Sequence, residues 1–259
     1  MQTAEGVTES AVQRWRWFLA NTTVCMDDAA RVEFVRRLLE DKARREPRIL
    51  SFVNAHAANL AWENSPFWED ISASDFIVRD GIGMKLLMKA CGVEPGINLN
   101  GTDFIPSLLD EVGSSHTIAI YGTGEPWLGR GAKVVRGMGF ATVTTATGFF
   151  PDSWYLERAK QDDADLIVLG MGMPKQERVA RLLRNGLAGR DVLIVNGGAV
   201  VDFLAGRFPR APRWMRISGL EWLYRLGREP RRLWRRYVLG NGKFMLRIIS
   251  FCYARRVKG

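Results

Sequence analysis

Short runs rich in apolar and β-branched residues recur along the chain, and most of them end in a turn that contains glycine. The run from Leu166 to Leu169 is the clearest, bounded by Asp165 and Gly170. A run of this length is typical of a strand buried on both faces of a parallel sheet. Comparable runs predict further strands at 49–54, 76–78, 117–121, 141–146 and 192–195.

Segments with helical spacing separate these runs. From Ala30 to Leu39 apolar residues recur at three- and four-residue steps, with Asp27 or Asp28 as the N-cap. Further helices are predicted at 55–62, 66–71, 84–91, 102–109 (capped by Thr102), 126–138, 154–160 and 175–183. A last short helix is predicted after Gly198 and extends through Phe203. The alternation predicts an α/β fold, a doubly wound Rossmann-like parallel sheet with right-handed crossovers.

Charge divides the chain unevenly. Residues 207–259 contain thirteen Arg and two Lys against two Glu, a net charge of +13, whereas residues 1–206 contain 22 basic and 26 acidic residues, a net charge of −4. We therefore predict an N-terminal extension (1–27), an α/β domain (28–206) and a basic helical appendage (207–259). Such an appendage suggests nucleic acid, an anionic membrane surface or a phosphate-bearing ligand as partner.

Composition also limits the class of protein. Cys25, Cys91 and Cys252 show no metal-ligand spacing, and the chain has only two histidines, so we expect no metal site and no cofactor. The first thirty residues lack the apolar core of a signal peptide. The sequence contains no run of about 18 apolar residues, so no transmembrane helix is predicted.

Polar residues follow several predicted strands, at the sheet edge where ligands bind in open α/β folds. Asp80 could act as a general base, but spacing alone favours a turn former or helix N-cap. Asn54 and His56 follow the first strand, and a lone His is more often structural. Asp103 suits the first turn of a helix, where the dipole favours an acid. Gln176 begins the helix after Gly172.

Gly122-Thr123-Gly124 follows the strand 117–121 and precedes a helix. Its N–H groups could hold a phosphate, although a plain tight turn explains it equally well. Trp127 stands where a dinucleotide-binding motif has its third glycine, so the motif for a nucleotide cofactor is incomplete.

Two patterns mark the appendage. Arg225, Arg228, Arg232 and Arg235 recur at three- and four-residue steps and could clamp a diphosphate or form a solvated basic face. An apolar stripe follows, which could lie in a membrane interface or pack into the core. Its residues are Phe244, Met245, Ile248, Ile249 and Cys252.

At this point the motifs match a known family: the chain resembles the WecG/TagA/CpsF bacterial glycosyltransferases from about Ile49 to Arg236. The specific strings are Pro174-Lys175-Gln176-Glu177 and Glu221-Trp222-Leu223-Tyr224-Arg225-Leu226. Supporting segments are Asp80-Gly81-Ile82-Gly83, Gly101-Thr102-Asp103, Tyr121-Gly122-Thr123-Gly124, Gly170-Met171-Gly172-Met173, Asn196-Gly197-Gly198, Asp202-Phe203-Leu204-Ala205-Gly206, Arg210-Ala211-Pro212 and Glu229-Pro230.

The resemblance implies an inverting, metal-independent transferase that moves a sugar from a UDP-sugar to a polyprenyl-diphosphate-linked acceptor at the cytoplasmic membrane face. It places Asp80 as the base, Asn54 in the pocket and Gln176 in the site lining. It also implies that appendage arginines reach the donor diphosphate. The full substrate-binding set is Asn54, Asn98, Asp103, Gly122, Gly124, Gly172, Gln176, Arg225, Arg232 and Arg235.

Two positions depart from the pattern of family members that use N-acetylmannosamine donors. Phe52 stands where those members usually have Thr, and Asn98 stands where they tend to have Arg. A UDP-hexose such as UDP-glucose is therefore an alternative donor, with exopolysaccharide synthesis as the context.

The expected partners are the UDP-sugar, the lipid-linked acceptor and an anionic membrane surface, with no nucleic acid, and a homo-oligomer is left open. The expected location is peripheral on the inner face of the cell membrane. Two other classes stay open as alternatives: a non-enzymatic basic protein that binds nucleotides or nucleic acid, and a nucleotide-dependent oxidoreductase.

Overall fold

A seven-stranded parallel sheet forms the centre of the protein. The computed structural model describes residues 4–40, 45–112 and 116–257, so the ends of the predicted extension (1–3) and appendage (258–259) lie outside it. The strands are β1 (Thr22–Thr23), β2 (Arg48–Val53), β3 (Phe76–Arg79), β4 (Thr117–Gly122), β5 (Thr142–Ala146), β6 (Leu166–Gly170) and β7 (Leu193–Asn196). Their order is β1-β3-β2-β7-β6-β4-β5, which confirms the predicted fold class.

Helices follow the strands in alternation. They are α1 (Ala4–Asn21), α2 (Asp28–Glu40), α3 (Ala55–Glu63), α4 (Ser65–Ile71), α5 (Gly81–Ala90), α6 (Gly101–Val112), α7 (Trp127–Gly137), α8 (Asp152–Asp162), α9 (Lys175–Gly186) and α10 (Val200–Leu204). The appendage adds α11 (Arg213–Ile217), α12 (Glu221–Arg228), α13 (Pro230–Trp234), a π-helical turn (Arg235–Leu239) and α14 (Gly240–Val257). The predicted elements are recovered. Helix α1 lies in the segment 1–27, where the sequence leaves open both a short helix packing on the body and an extension, and the edge strand β1 is additional.

Both faces of the sheet are covered, because alternate residues of each strand point to opposite sides. In β4, Ile118 and Ile120 pack with residues of α2, α6 and α7. Ala119 and Tyr121 of the same strand pack on the other face, with residues of α8 and α9. The largely apolar strand pattern seen in the sequence is therefore explained by two-sided burial.

A third apolar cluster joins the two ends of the chain. The indole of Trp15 in α1 is fully buried and donates a hydrogen bond to the carbonyl of Ala58 in α3 (2.9 Å). Its ring lies 5.2 Å from the ring of Phe244 and 5.6 Å from that of Phe251, both in α14. Helix α14 is thus held against the body by aromatic packing with α1 and α3.

The apolar stripe predicted in α14 divides between two surroundings. Phe244 and Ile248 are buried in this third cluster, whereas Met245 and Ile249 are exposed and Cys252 is half-buried. The stripe is therefore not a single face, and neither alternative describes all of it. One apolar side of α14 packs into the third cluster, and the other side is exposed.

Two helix starts also differ from the prediction. Helix α5 begins at Gly81 rather than Met84, so no separate turn follows Asp80. Helix α6 is capped by Asn100, whose side-chain oxygen accepts a hydrogen bond from the N–H of Asp103 (3.0 Å), and not by Thr102. Within the described residues, no helix combines the length and apolar character needed to cross a bilayer.

Candidate active site

Asn54 and Asp80 lie side by side at the carboxyl edge of the sheet, because the parallel register of β2 and β3 aligns the ends of both strands. The side-chain oxygen of Asn54 caps α3 by accepting hydrogen bonds from the N–H groups of His56 (3.0 Å) and Ala57 (3.1 Å). Its amide nitrogen then faces Asp80 Oδ2 at 3.4 Å. The helix cap therefore fixes the orientation in which Asn54 presents a donor to the carboxylate.

Asp80 itself does not cap a helix. It occupies the N-cap position of α5, yet its side chain makes no capping hydrogen bond. The N–H of Gly81 donates instead to Asn98 Oδ1 at 2.8 Å. The N-cap interpretation of the Asp80 side chain is therefore wrong, and the carboxylate is left for another role.

The surroundings of Asp80 combine burial with positive charge. Burial raises the pKa of its carboxyl group, and the Asn54 hydrogen bond opposes that shift. The positive charges of Arg236, Arg225 and Arg79 also lower it. Among the residues that the structure describes, neither Arg225 nor Arg236 has a carboxylate within ion-pair distance. Two unpaired guanidinium groups thus lie near a partly buried carboxylate.

His56 lies close to the same groups. Burial lowers the pKa of its imidazole to about 4, and the charge of Arg236 acts in the same direction. The imidazole is therefore neutral at physiological pH, so it adds no positive charge to the site.

Gln176 connects the turns that follow β6 and β7. It is 2% exposed, and its side-chain oxygen accepts hydrogen bonds from the N–H groups of Gly172 (3.2 Å) and Gly198 (3.0 Å). Its amide nitrogen donates to Glu177 Oε1 at 2.8 Å. Gln176 thus ties the two turns together through hydrogen bonds from its own side chain. Gly172 adopts φ +79°, which favours glycine, and its N–H is not free for a ligand.

Glu177 is a buried carboxyl that the sequence reasoning quoted in a motif but did not select. It is 1% exposed, and its Oε2 has no hydrogen-bond partner among the described residues. Burial raises the pKa of this group to about 7. The signal that could have found it is its position beside Gln176, directly after a glycine turn at the sheet edge.

Asn98 and Asp103 have partners within the protein. Asn98 Oδ1 also accepts a hydrogen bond from Arg79 Nη1 (3.3 Å), and so it supports the loop around Asp80. Asp103 accepts hydrogen bonds from Arg210 (2.7 Å) and Arg216 (3.3 Å) at the start of the appendage. Asn98 thus holds the loop beside Asp80, and Asp103 links α6 to the start of the appendage.

The glycines after β4 are explained largely by packing. A Cβ on Gly122 would lie 2.5 Å from the backbone of Gly170, and the N–H of Thr123 donates to the carbonyl of Gly170 (3.2 Å). A Cβ on Gly124 would lie 3.1 Å from the ring of Phe149. The turn is thus closed onto β6, and the Thr123 N–H is not free for a phosphate.

Three of the four appendage arginines chosen by spacing, those in the expected substrate-binding set, have different surroundings. Arg225 lies with its guanidinium 5.4 Å from the ring centroid of Phe203 and within electrostatic reach of Asp80. Arg232 is exposed and paired with Glu229 at 2.6 Å. Arg235 is exposed, 5.9 Å from the ring centroid of Trp234. Of the three, Arg225 is the one whose charge acts on Asp80, and Arg236, which the spacing argument missed, is the second such cation from the appendage.

No group of three His, Cys, Asp or Glu side chains is arranged to hold a metal ion within the part of the chain that the structure describes. The polar arrangement near Asp80 is therefore made of a carboxylate, amides and guanidinium groups. These can accept a proton and bind an anion.

Comparison with known proteins gives the family. Residues 20–258 match the model of the glycosyl transferase WecG/TagA/CpsF family, a range that extends beyond the predicted resemblance at both ends. The chain is 28% identical over 209 residues to the N-acetylglucosaminyldiphosphoundecaprenol N-acetyl-beta-D-mannosaminyltransferase of Bacillus subtilis (strain 168), covering 78% of this chain and 79% of that protein. The chain belongs to the WecG/TagA/CpsF family of glycosyltransferases.

Proposed function

We propose that this enzyme transfers a sugar, either a hexose such as glucose or N-acetylmannosamine, from a UDP-sugar to a polyprenyl-diphosphate-linked acceptor, with inversion and without a metal ion. The observation that carries the proposal is Asp80, oriented by Asn54 and faced by the unpaired Arg225 and Arg236. The name of the Bacillus subtilis relative, a transferase acting on an undecaprenyl-diphosphate-linked N-acetylglucosamine, supports the acceptor class.

In the proposed reaction Asp80 takes the proton of the acceptor hydroxyl as the hydroxyl oxygen attacks the anomeric carbon of the donor sugar. The new glycosidic bond forms on the face opposite UDP, and the bond from the anomeric carbon to the β-phosphate oxygen breaks. The electron pair stays on UDP, so negative charge develops at the diphosphate. Guanidinium groups preorganised near that position stabilise the developing charge.

The test is a panel of UDP-sugars offered with a polyprenyl-diphosphate-linked N-acetylglucosamine, with UDP release and the glycolipid product measured. We expect one UDP-sugar, a UDP-hexose or UDP-N-acetylmannosamine, to be transferred, with inverted anomeric configuration by NMR. The panel also tests the donor sugar. Phe52 stands where members that use N-acetylmannosamine donors usually have Thr. Its side chain is buried against Phe104 (6.0 Å between ring centroids) and brings no hydroxyl to the pocket. Absence of transfer from every UDP-sugar would overturn the proposal.

Metal independence has its own test. We expect the transfer rate in excess EDTA to stay within about twofold of the untreated rate, because arginines take the charge-stabilising role that a metal ion has in other transferases. Rates are measured with and without EDTA on the same preparation. Strong inhibition that added Mg²⁺ reverses would contradict the expectation.

We also propose that the appendage docks on the anionic inner face of the cell membrane. Leu239, Leu246, Ile249 and Tyr253 recur at seven-, three- and four-residue steps and are each at least half exposed. Exposed basic residues lie on the same segment, among them Arg235. An exposed apolar stripe with basic neighbours suits an interface between headgroups and acyl chains.

Replacing Leu246 and Ile249 by Glu should release the protein from anionic vesicles. Vesicle affinity is expected to fall about tenfold per position, because burial of a Leu or Ile side chain contributes about 1.5–3 kcal/mol. Co-sedimentation with vesicles containing phosphatidylglycerol measures the effect. Val32→Glu is the matched control, since Val32 is an exposed apolar residue on α2 in the body. Equal vesicle binding by the double variant would remove this stripe from membrane docking.

A further inference from the structure

The appendage contains a π-helical turn. It spans Arg235–Leu239, between α13 and α14. The side chain of Asn59 in α3 donates a hydrogen bond to the carbonyl of Gly240, directly after the turn, at 2.7 Å. Asn59 is in turn held by Arg247, which donates to its side-chain oxygen (2.7 Å). Turns of this kind are rare and frequently occur at functional sites, and this one is anchored to the helix that Asn54 caps.

The backbone here sends two neighbouring arginines to different surroundings. Arg235 is exposed, with its guanidinium over the ring of Trp234. Arg236 is half-buried, and its Nε is fully buried without a hydrogen-bond partner in the described chain. One arginine is thus directed to solvent and the next to the interior.

Arg236 lies within electrostatic reach of groups on three elements of the body. Its charge acts on Asp80 at the end of β3, on His56 in α3 and on Glu177 in α9. None of these groups forms an ion pair with it. A buried donor without a hydrogen-bond partner is costly, so the Nε of Arg236 is suited to an acceptor supplied from outside the chain.

We propose that Arg236 is a donor-binding residue that contacts the diphosphate of the UDP-sugar, in addition to the arginines that the family resemblance implies. The inference rests on the proposed function, because it assumes that the anion is the donor diphosphate. A guanidinium group with an unused buried N–H matches a phosphate oxygen in geometry and charge. The neighbouring Asp80 then lies within reach of the anomeric carbon attached to that diphosphate.

The experiment measures UDP binding by calorimetry for the wild type, Arg236→Gln, Arg236→Lys and Arg231→Gln. Arg236→Gln should weaken UDP binding about 10- to 100-fold, the usual effect of losing a charge-assisted hydrogen bond. Arg236→Lys keeps the charge without the planar fork and should lie in between. Arg231→Gln, a change of the same type at an exposed position on α13, should bind UDP as the wild type does.

The outcomes separate this inference from the proposed function. Failure of the wild type to bind UDP would overturn both. Wild-type affinity in a folded Arg236→Gln, with its melting temperature unchanged, would overturn the inference alone. If Arg236→Gln unfolds, Arg236→Lys decides: the inference requires weaker UDP binding than the wild type, and equal affinity overturns it.

Discussion

Replacing Asp80 by Asn is expected to lower the turnover number about 10²- to 10⁴-fold, the usual contribution of a positioned general base. Asn is nearly the same size but cannot accept the proton of the acceptor hydroxyl. UDP affinity should change little, because the groups proposed to bind the diphosphate stay in place. Initial rates with the lipid-linked acceptor measure turnover, and calorimetry measures UDP binding.

The Asp80 side chain makes no capping hydrogen bond to α5. Removal of its charge should therefore leave the N-terminus of that helix intact. Asp110→Asn serves as the matched control, since Asp110 is exposed on α6. We expect wild-type turnover for the control. Near-normal turnover of Asp80→Asn would exclude Asp80 as the base.

Glu177→Gln is expected to stabilise the protein at alkaline pH. Burial raises the pKa of Glu177 from its ordinary value of 4.5 to about 7. Between these values the folded state binds more protons than the unfolded state, so this group makes stability fall as pH rises. The cost is absent below about pH 4.5 and complete above about pH 7. It amounts to about 3 kcal/mol, since one pKa unit corresponds to about 1.4 kcal/mol.

Urea unfolding at pH 5 and pH 8 tests this expectation. The free energy of unfolding of Glu177→Gln minus that of the wild type should increase by about 2–3 kcal/mol between the two pH values. Other titrating groups are common to both proteins and largely cancel in the difference. The control is Glu111→Gln, an exposed acid on α6, for which the difference should not vary with pH. A pH-independent difference for Glu177→Gln would show that this carboxyl titrates normally.

Much of the sheet could be predicted because its signal is local. The run from Leu166 to Leu169 is buried on both faces, and such burial leaves a continuous apolar stretch in the sequence. The position of Asp80 at the carboxyl edge follows from the same logic. Its closeness to Asn54 does not, because it depends on β2 and β3 being neighbours in register, which no local pattern encodes.

The appendage shows where helical spacing fails. Arg225, Arg232 and Arg235 share a face only if one helix is continuous through them. The chain leaves helical geometry at Glu229 (φ −134°, ψ 58°), and the π-helical turn then changes the phase, so Arg236 points inward. Glu177 was missed for another reason. Acidic side chains are rarely buried, and its surroundings come from elements distant in sequence.

The position of Trp15 suggests an order in which the sheet and the donor-binding site form during translation. Its pocket is completed by Phe244 and Phe251 of α14, a helix translated after all the sheet strands and after Arg225 and Arg236. A nascent chain can therefore form the sheet, with Asn54 and Asp80 in register, while this pocket is still open. The hydrogen bonds of Asn59 to Gly240 and Arg247, which anchor the end of the π-helical turn, form only when α14 has emerged. Donor binding should thus be acquired last, when the two ends of the chain meet.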